Sequence, residues 1–326
     1  MKPLSALLLA SATALATPAS APLWANAPTG LTDDRNARDL DLLLGWFEGV
    51  FDNDLQIWFE TDPRSATPAD ARHARFHAVH KRLPDSLLGL PAFHVVETRG
   101  DEVLADHVVA FHTEKPRDGI RLRYYRISGK SSEGAAPTGN QLTLIPDCDV
   151  LLERRGAQVE GRTLSSGCAL AGGSTAQAMR ETLWIGPDVY TRLRTPVGAD
   201  AKPAHAPLGP VAFYKARPFD CSVDLFADSY LKRSPQDRSY SFEGRHDLGD
   251  MMQVQSPRDG KRYQLQLRRQ RYPYYRSGGE FLLLRLREVG APSSVAIVTT
   301  DTANENITLN LGWVAASCNA RKDDRK

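Results

Sequence analysis

The chain has 326 residues, of which 41% are hydrophobic and 25% charged, a composition typical of a folded globular protein. Lys and Arg total 41 against 39 Asp and Glu, so the net charge of +2 argues against a nucleic-acid-binding protein that depends on bulk positive charge. This length accommodates one large domain or two ordinary ones.

The first 27 residues are typical of a secretory signal peptide. Lys2 supplies the positive end, residues 4–16 form an apolar Ala/Leu core, and small residues follow. Two A-x-A sequences, at 19–21 and 25–27, leave the cleavage position open. No later stretch approaches the roughly 18 apolar residues that span a bilayer. We therefore expect an exported protein, periplasmic or secreted, with no transmembrane segment in the mature chain.

The stretch 46–56, with the sequence WFEGVFDNDLQ, follows a helical pattern near the front of the chain. Apolar residues spaced three and four apart over 40–47 predict a helix, and Gly49 ends it. Alternating residues over 51–57 then predict a strand or an irregular turn into one. Because asparagine most often serves turns, the residues alone favour a helix packed across the end of a sheet, with Asn53 capping a turn.

Three histidines, His73, His77 and His80, follow a polar segment. In a helix their spacing places them on one face, where they could bind a metal. In a strand over 76–81, His77 and His80 point to opposite faces instead. No cysteine or carboxylate completes a ligand set nearby, so we expect no metal site.

Residues 91–150 show one strand pattern after another, separated by Gly, Pro and Asp. The strands are rich in β-branched and aromatic residues and cover 93–97, 103–112, 120–127 and 142–145. In the third of them, Arg121, Arg123 and Tyr125 share one face. That face is either exposed, with the arginine stems covering apolar surface, or turned inward to bind ligand carboxylates through the guanidinium fork.

Further strands are predicted along the rest of the chain. They cover 151–160, 183–193 with a hairpin turn at 186–188, 211–215, 263–267, 280–288, 295–299 and 307–314. The segment 268–276, RRQRYPYYR, interleaves arginine with tyrosine, a composition that can stack single-stranded nucleic acid. Export and the near-zero net charge argue against that use. A partner-facing or ligand-facing hairpin fits better, and a solvated turn is the simplest interpretation.

Four cysteines are present: Cys148, Cys168, Cys221 and Cys318. In an oxidising compartment an even count predicts two disulfides, for which three pairings exist. A free catalytic cysteine is disfavoured, because exported free thiols tend to oxidise. The sequence contains no nucleotide-binding loop, no G-x-S-x-G and no H-E-x-x-H, and shows no self-contained catalytic constellation.

Six motifs in order resemble the CpcT/CpeT family of chromophore lyases across residues 38–217. They are the helix and G-x-F-D-N-x-x-Q sequence of 46–56, the turn HKRLP of 80–84, Glu97 after an apolar strand, the arginine strand 121–127, the cysteine sequences at 147–150 and 167–168, and Phe213 with Lys215. Ile120 and Leu122 replace a Tyr and a Gln of the family's arginine strand. Because Cys148 and Cys168 both lie inside this region, we favour the pairs Cys148–Cys168 and Cys221–Cys318.

The resemblance implies a mainly β fold. Residues 28–217 are expected to form an antiparallel lipocalin-like β-barrel, or calyx, with a short N-terminal helix, and residues 218–326 a second β-rich region. The strand patterns agree, because closing many short strands into a barrel removes exposed edges and can enclose a ligand.

The resemblance also implies a function, which is to hold a linear tetrapyrrole, or bilin, and deliver it to a cysteine of an acceptor protein. Arg121 and Arg123 would neutralise the bilin propionates, and Glu97 would be the catalytic residue that manages protons. The other ligand-binding candidates are Asn53, Gln56, His80 and Tyr125. No cofactor is expected beyond the bilin ligand.

Three departures from the family favour an alternative. The familiar family members work inside photosynthetic cells, two residues of the arginine strand are replaced, and about a hundred residues follow the predicted barrel. The alternative is a non-catalytic periplasmic protein that binds a small amphipathic ligand in the same barrel. A third hypothesis is an envelope interaction protein whose second β region docks a partner.

Overall fold

The computed structural model describes residues 30–113, 119–128, 136–169, 178–197, 209–271 and 279–321. The predicted signal peptide, residues 1–27, lies outside the described residues. In chain order, the helices and strands are α1 (Gly30–Phe47), β1 (Gly49–Asp52), α2 (Asp54–Thr61), β2 (His77–Leu83), β3 (Ala92–Arg99), β4 (Glu102–His112), β5 (Ile120–Ile127), β6 (Leu142–Leu144), β7 (Val150–Arg155), β8 (Gln158–Thr163), β9 (Met179–Ile185), β10 (Val189–Pro196), β11 (Val211–Lys215), β12 (Pro218–Leu225), β13 (Arg238–His246), β14 (Leu248–Gln255), β15 (Arg262–Arg271), β16 (Glu280–Glu288), β17 (Ala296–Asp301), β18 (Asn306–Asn310) and β19 (Val314–Ala320).

Ten strands close into an antiparallel barrel. They pair in the order β1, β2, β3, β4, β5, β7, β8, β9, β10, β11, and β11 pairs back to β1. β6 pairs with β5 beside this ring. Closure gives every barrel strand a neighbour on both sides, which satisfies its backbone hydrogen bonds without an exposed edge.

The barrel interior is filled at one end by aromatic side chains and by the last turn of α1. Phe47, at the end of α1, lies with its ring centroid 5.3 Å from those of both Phe93 and Phe111. These three side chains and Leu43 are at most 3% exposed. The apolar spacing that predicted a helix over 40–47 therefore serves to close this end of the barrel.

The chain after β11 forms a β-sandwich. One sheet has the strand order β13-β12-β19-β18 and the other β14-β15-β16-β17, and all pairings are antiparallel. Leucines of β15 and β16 pack against inward residues of β12 and β19 in one hydrophobic cluster. This arrangement, two sheets enclosing one core, is called the C-terminal sandwich below.

Both predicted disulfides are confirmed. Cys148 bonds to Cys168, and Cys221 bonds to Cys318. Cys221 and Cys318 lie directly opposite each other on β12 and β19, so the second bond crosslinks neighbouring strands of the sandwich.

Several predicted boundaries were wrong. The alternation over 51–57 continues as a strand only to Asp52, after which α2 begins. Segments 151–160 and 307–314, each predicted as one strand, contain hairpin turns, and β12, β13 and β14 had no clear pattern. Segment 268–276 was interpreted as a solvated turn, but its first four residues belong to β15, which extends through Arg271. Residues 272–278 lie outside the described part of the chain.

The predicted fold class is confirmed: the protein is mainly β, with a closed antiparallel barrel and a short N-terminal helix. Among the described residues, no helix is both long and apolar enough to cross a lipid bilayer.

Candidate functional site in the barrel interior

The inward side chains change from aromatic to charged along the barrel axis. On β3, Phe93 lies beside α1, and Glu97 follows four residues further along, about 13 Å away at the usual rise of a strand. On β10, Tyr190, Arg192 and Arg194 alternate inward in the same direction. The end of the barrel opposite α1 is therefore lined by charged groups, and we call it the polar end.

Glu97 and Arg192 form a bidentate ion pair across the barrel interior. The guanidinium nitrogens of Arg192 donate to the two carboxylate oxygens at 2.5 and 2.6 Å. Both side chains are at most 9% exposed. Burial would raise the pKa of Glu97, but the charge and hydrogen bonds of Arg192 lower it to about 2. Glu97 is thus ionised at every ordinary pH.

A second charged group lies next to this pair. Glu181 on β9 accepts a hydrogen bond from the Tyr124 hydroxyl and another from Arg194 Nε at 2.9 Å. Glu181 is 3% exposed, whereas the Arg194 side chain is 25% exposed. Burial and the Glu181 carboxylate raise the pKa of Tyr124, so its hydroxyl stays protonated and donates. Arg194 is consequently the member of the network that a molecule entering from solvent can reach.

Two histidines face the same interior. His80 on β2 is 3% exposed, and its Nδ1 donates to the Phe47 carbonyl at 2.9 Å. Burial lowers the pKa of His80 to about 3. His107 on β4 lies with its ring 5.4 Å from that of Tyr124, and burial and the nearby Arg194 lower its pKa to about 3. Both imidazoles are therefore neutral, and the positive charge at this end belongs to the arginines.

Asn53 and Gln56, two predicted ligand-binding residues, instead hold α2 in place. Asn53 stands just before α2 without capping it through its side chain, which accepts from Phe76 N and donates to Ala74 O. The Gln56 amide accepts from Ala212 N at 2.9 Å and donates to Pro210 O at 3.2 Å, which ties α2 to β11. Protein partners thus occupy the polar atoms of both side chains.

The expected inward orientation of Arg121 and Arg123 is wrong. On β5 it is Ile120, Leu122 and Tyr124 that belong to the barrel core, so the alternate residues face outward. Arg123 Nε lies 3.3 Å from Asp149 on the outer wall. Tyr125 packs in a separate cluster on the outside of the barrel with Leu142, Val108 and Ala110. The apolar face of β5 lies inside the barrel because burying it removes more hydrocarbon from water than burying the arginine face would.

Of the seven predicted site residues, only Glu97 and His80 face the interior. The members of the network that the sequence analysis missed are Tyr124, Glu181, Tyr190, Arg192, Arg194 and His107. A signal for them existed in β10, where Tyr190, Arg192 and Arg194 alternate. This alternation identifies a site only together with the position of β10 across the barrel from β3. Nothing in the local sequence of either strand indicates that position.

The three histidines that are close in sequence, His73, His77 and His80, do not share one site. His73 Nδ1 lies 2.6 Å from Glu60 outside the barrel, and His80 is inside. His77 lies on the outer face of β2, and its Nδ1 is 3.3 Å from Asp52. His246 of the C-terminal sandwich stacks on the His77 ring, with centroids 5.1 Å apart.

No family model and no curated protein matches this chain. Among solved structures, it is similar to the T-type phycobiliprotein lyase CpeT from Prochlorococcus phage P-HM1, with 16% sequence identity and a TM-score of 0.34. The match covers 54% of this chain and 96% of that one.

Proposed function

We propose that this protein binds a small, amphipathic, anionic ligand at the polar end of the barrel, and that linear tetrapyrroles are the first class to test. The observation that carries the proposal is the pair Arg192 and Arg194, both directed into the barrel and held by Glu97 and Glu181. Buried ion pairs are often no more stable than apolar replacements. Their concentration at one end of a barrel, beside groups with strongly shifted pKa values, is typical of a functional site.

The chemistry of the polar end suits a carboxylate-bearing ligand. Arg194 uses its Nε for Glu181, and the guanidinium fork offers further N–H donors in the geometry that a carboxylate accepts. Tyr190 and Phe213 stack on each other beside Arg192, with ring centroids 5.7 Å apart. Both residues are at most 5% exposed, so the apolar body of a ligand would reach them only by displacing neighbouring core side chains. A ligand with an apolar body and carboxylate arms would complement both features.

The proposal includes an exported location. Two disulfides are compatible with an oxidising compartment such as the periplasm, where thiols are oxidised. The interior ligand would then be one that is available outside the cytoplasm.

A chromophore lyase activity is a finer hypothesis built on the same site. All four cysteines are paired in disulfides, so the thiol that bonds to the bilin would come from the acceptor protein. With a pKa of about 2 and both oxygens bonded to Arg192, Glu97 is better suited to positioning Arg192 than to proton transfer.

Absorbance titration with biliverdin tests the binding proposal. We expect a saturable spectral shift in the native protein. Arg194→Gln should weaken binding about 10- to 150-fold, because one charge-assisted contact contributes roughly 1.5–3 kcal/mol. Arg162→Gln is a matched control, since Arg162 also pairs with a glutamate, at 2.6 Å, but is 73% exposed on the outer wall.

The results separate three outcomes. Equal weakening by Arg194→Gln and Arg162→Gln, or selective weakening by the Arg121→Gln/Arg123→Gln pair, would place the site outside the barrel and contradict the proposal. No spectral change at saturating biliverdin would exclude linear tetrapyrroles. If binding occurs, incubation with an acceptor apoprotein tests transfer, and a protein that binds bilin yet yields no covalent adduct is a binding protein and not a lyase.

A further inference from the structure

Three metal-ligating side chains converge where the barrel contacts the C-terminal sandwich. Asp52 ends β1, His77 begins β2 beside it, and His246 ends β13 of the sandwich. One ligand atom from each lies within 4.8 Å of the others. These residues are separated by up to 194 positions in sequence, so the fold itself assembles the set.

We propose that Asp52, His77 and His246 bind one divalent transition-metal ion, with Zn²⁺ as the representative probe. Two imidazoles and one carboxylate form a donor set that suits zinc and its neighbours, whereas Mg²⁺ and Ca²⁺ prefer oxygen ligands alone. With three protein ligands, a fourth position is left for water.

The geometry needs a small adjustment to hold an ion. Zinc lies about 2.0–2.1 Å from a ligand nitrogen, so two donors of a tetrahedral site are separated by about 3.4 Å. Asp52 Oδ2 and His77 Nδ1 already lie 3.3 Å apart. His246, whose side chain is 15% exposed, must move closer to both of them. The His246 Nδ1 accepts a long hydrogen bond of 3.3 Å from Leu248 N, so this nitrogen carries a lone pair. Because the hydrogen bond is weak, replacing it by a bond to a metal ion costs little.

Outer groups orient the carboxylate and balance its charge. Asp52 is 1% exposed and accepts hydrogen bonds from Asp54 N and from two guanidinium nitrogens of Arg75. Ligating carboxylates are commonly held by such partners. Arg75 also repels an incoming cation, and the nearby carboxylates of Asp54 and Asp250, which act on Arg75, offset this repulsion.

A bound ion would join the two parts of the molecule. Asp52 and His77 belong to the barrel, and His246 belongs to the sandwich. Because an ion that binds the folded state stabilises it by mass action, metal binding here should raise the melting temperature and depend on contact between the two parts.

Isothermal titration of chelator-treated, full-length protein without a histidine tag tests the site. We expect one Zn²⁺ per chain, no binding of Mg²⁺, and a rise in melting temperature with Zn²⁺. His77→Gln and His246→Gln should each weaken Zn²⁺ binding by at least about 100-fold, since loss of a ligand exceeds the effect of losing an outer partner. His94→Gln is the matched control, because His94 also pairs with an aspartate, at 2.6 Å, on the outer wall.

Binding of Co²⁺ to the native protein provides a second measurement that needs no variant. A four-coordinate nitrogen–oxygen site gives intense visible absorption, and Zn²⁺ should displace it. Absence of stoichiometric Zn²⁺ binding, wild-type affinity in His246→Gln, or an equal loss in His94→Gln would overturn the proposal.

Discussion

The Glu97–Arg192 pair shows how one buried interaction constrains both partners. Each charge is stable inside the barrel only because the other neutralises it at hydrogen-bond distance. Removing one partner should therefore cost more than removing both.

We expect Glu97→Gln and Arg192→Met each to lower the free energy of unfolding by about 3–5 kcal/mol, because each leaves one uncompensated buried group. The double variant Glu97→Gln/Arg192→Met should recover much of this loss, since it buries no charge. Urea denaturation of the four proteins measures the coupling. Additive losses in the double variant would contradict the interpretation of the pair.

His80 makes stability depend on pH in a definite direction. Its folded pKa of about 3 is below the usual value of 6.5, so as pH falls the unfolded chain takes up the proton first. The stabilising contribution is complete above pH 6.5 and declines between pH 6.5 and 3, by up to about 1.4 kcal/mol per pH unit for one histidine. In His80→Phe, the contribution of His80 to the slope of unfolding free energy against pH between pH 3 and 6.5 should disappear. If the curves of the variant and the native protein are parallel over this range, the lowered pKa of His80 is refuted.

Residue chemistry predicted some roles and failed at others for a physical reason. Glu97 and His80 were named through the resemblance, and both are buried inside the barrel. The choice between the two faces of β5 was decided wrongly by resemblance, although Ile120, Leu122 and Tyr124 form the more apolar face. Arg192 and Glu181 were missed because their partners come from strands distant in sequence, and a single sequence carries no register between such strands.

At the scale of the elements, the two disulfides differ in the length of chain that they close. Cys221 and Cys318 are 97 residues apart, whereas Cys148 and Cys168 are 20 apart. In the chain-entropy description, the longer loop restricts the unfolded state more.

We expect Cys221→Ala/Cys318→Ala to destabilise the protein by about 4–5 kcal/mol and Cys148→Ala/Cys168→Ala by about 3 kcal/mol. Thermal denaturation under identical buffer conditions compares the two variants. A larger loss from the shorter loop would show that local packing around Cys148, and not chain entropy, dominates.

The elements that the sequence predicted best are those with one buried and one exposed face. Strands β3, β5 and β15 alternate, β16 carries a run of leucines, and all four were placed within a few residues. α2 was missed because Phe51 and Leu55, both buried, fit a strand period as well as a helical one.

At the scale of the molecule, α2 connects the barrel to the C-terminal sandwich. Asp54, in its first turn, accepts two hydrogen bonds from Arg268 of β15, at 2.5 and 2.6 Å. The Arg268 guanidinium also lies 5.2 Å from the centroid of the Trp58 ring. Gly249 of β14, with φ of +86°, approaches this pair so closely that a Cβ there would lie 3.2 Å from Asp54. This contact is continuous with the Asp52–His77–His246 cluster.

The Asp54–Arg268 pair should hold the two parts together during unfolding. We expect Arg268→Gln to weaken their association by about 2–5 kcal/mol, because it leaves the 4%-exposed Asp54 carboxylate without its main partner. Calorimetry should then resolve two transitions where the native protein shows one, and limited proteolysis should cut between residues 215 and 218. Arg287→Gln is the control, since Arg287 lies on the same sheet and bonds to Gln264, also within the sandwich.

If Arg268→Gln and Arg287→Gln unfold alike in one transition, the coupling between barrel and sandwich depends on other contacts. Such contacts are those of Arg75 with the Leu248 carbonyl and of Arg217 with Asp247.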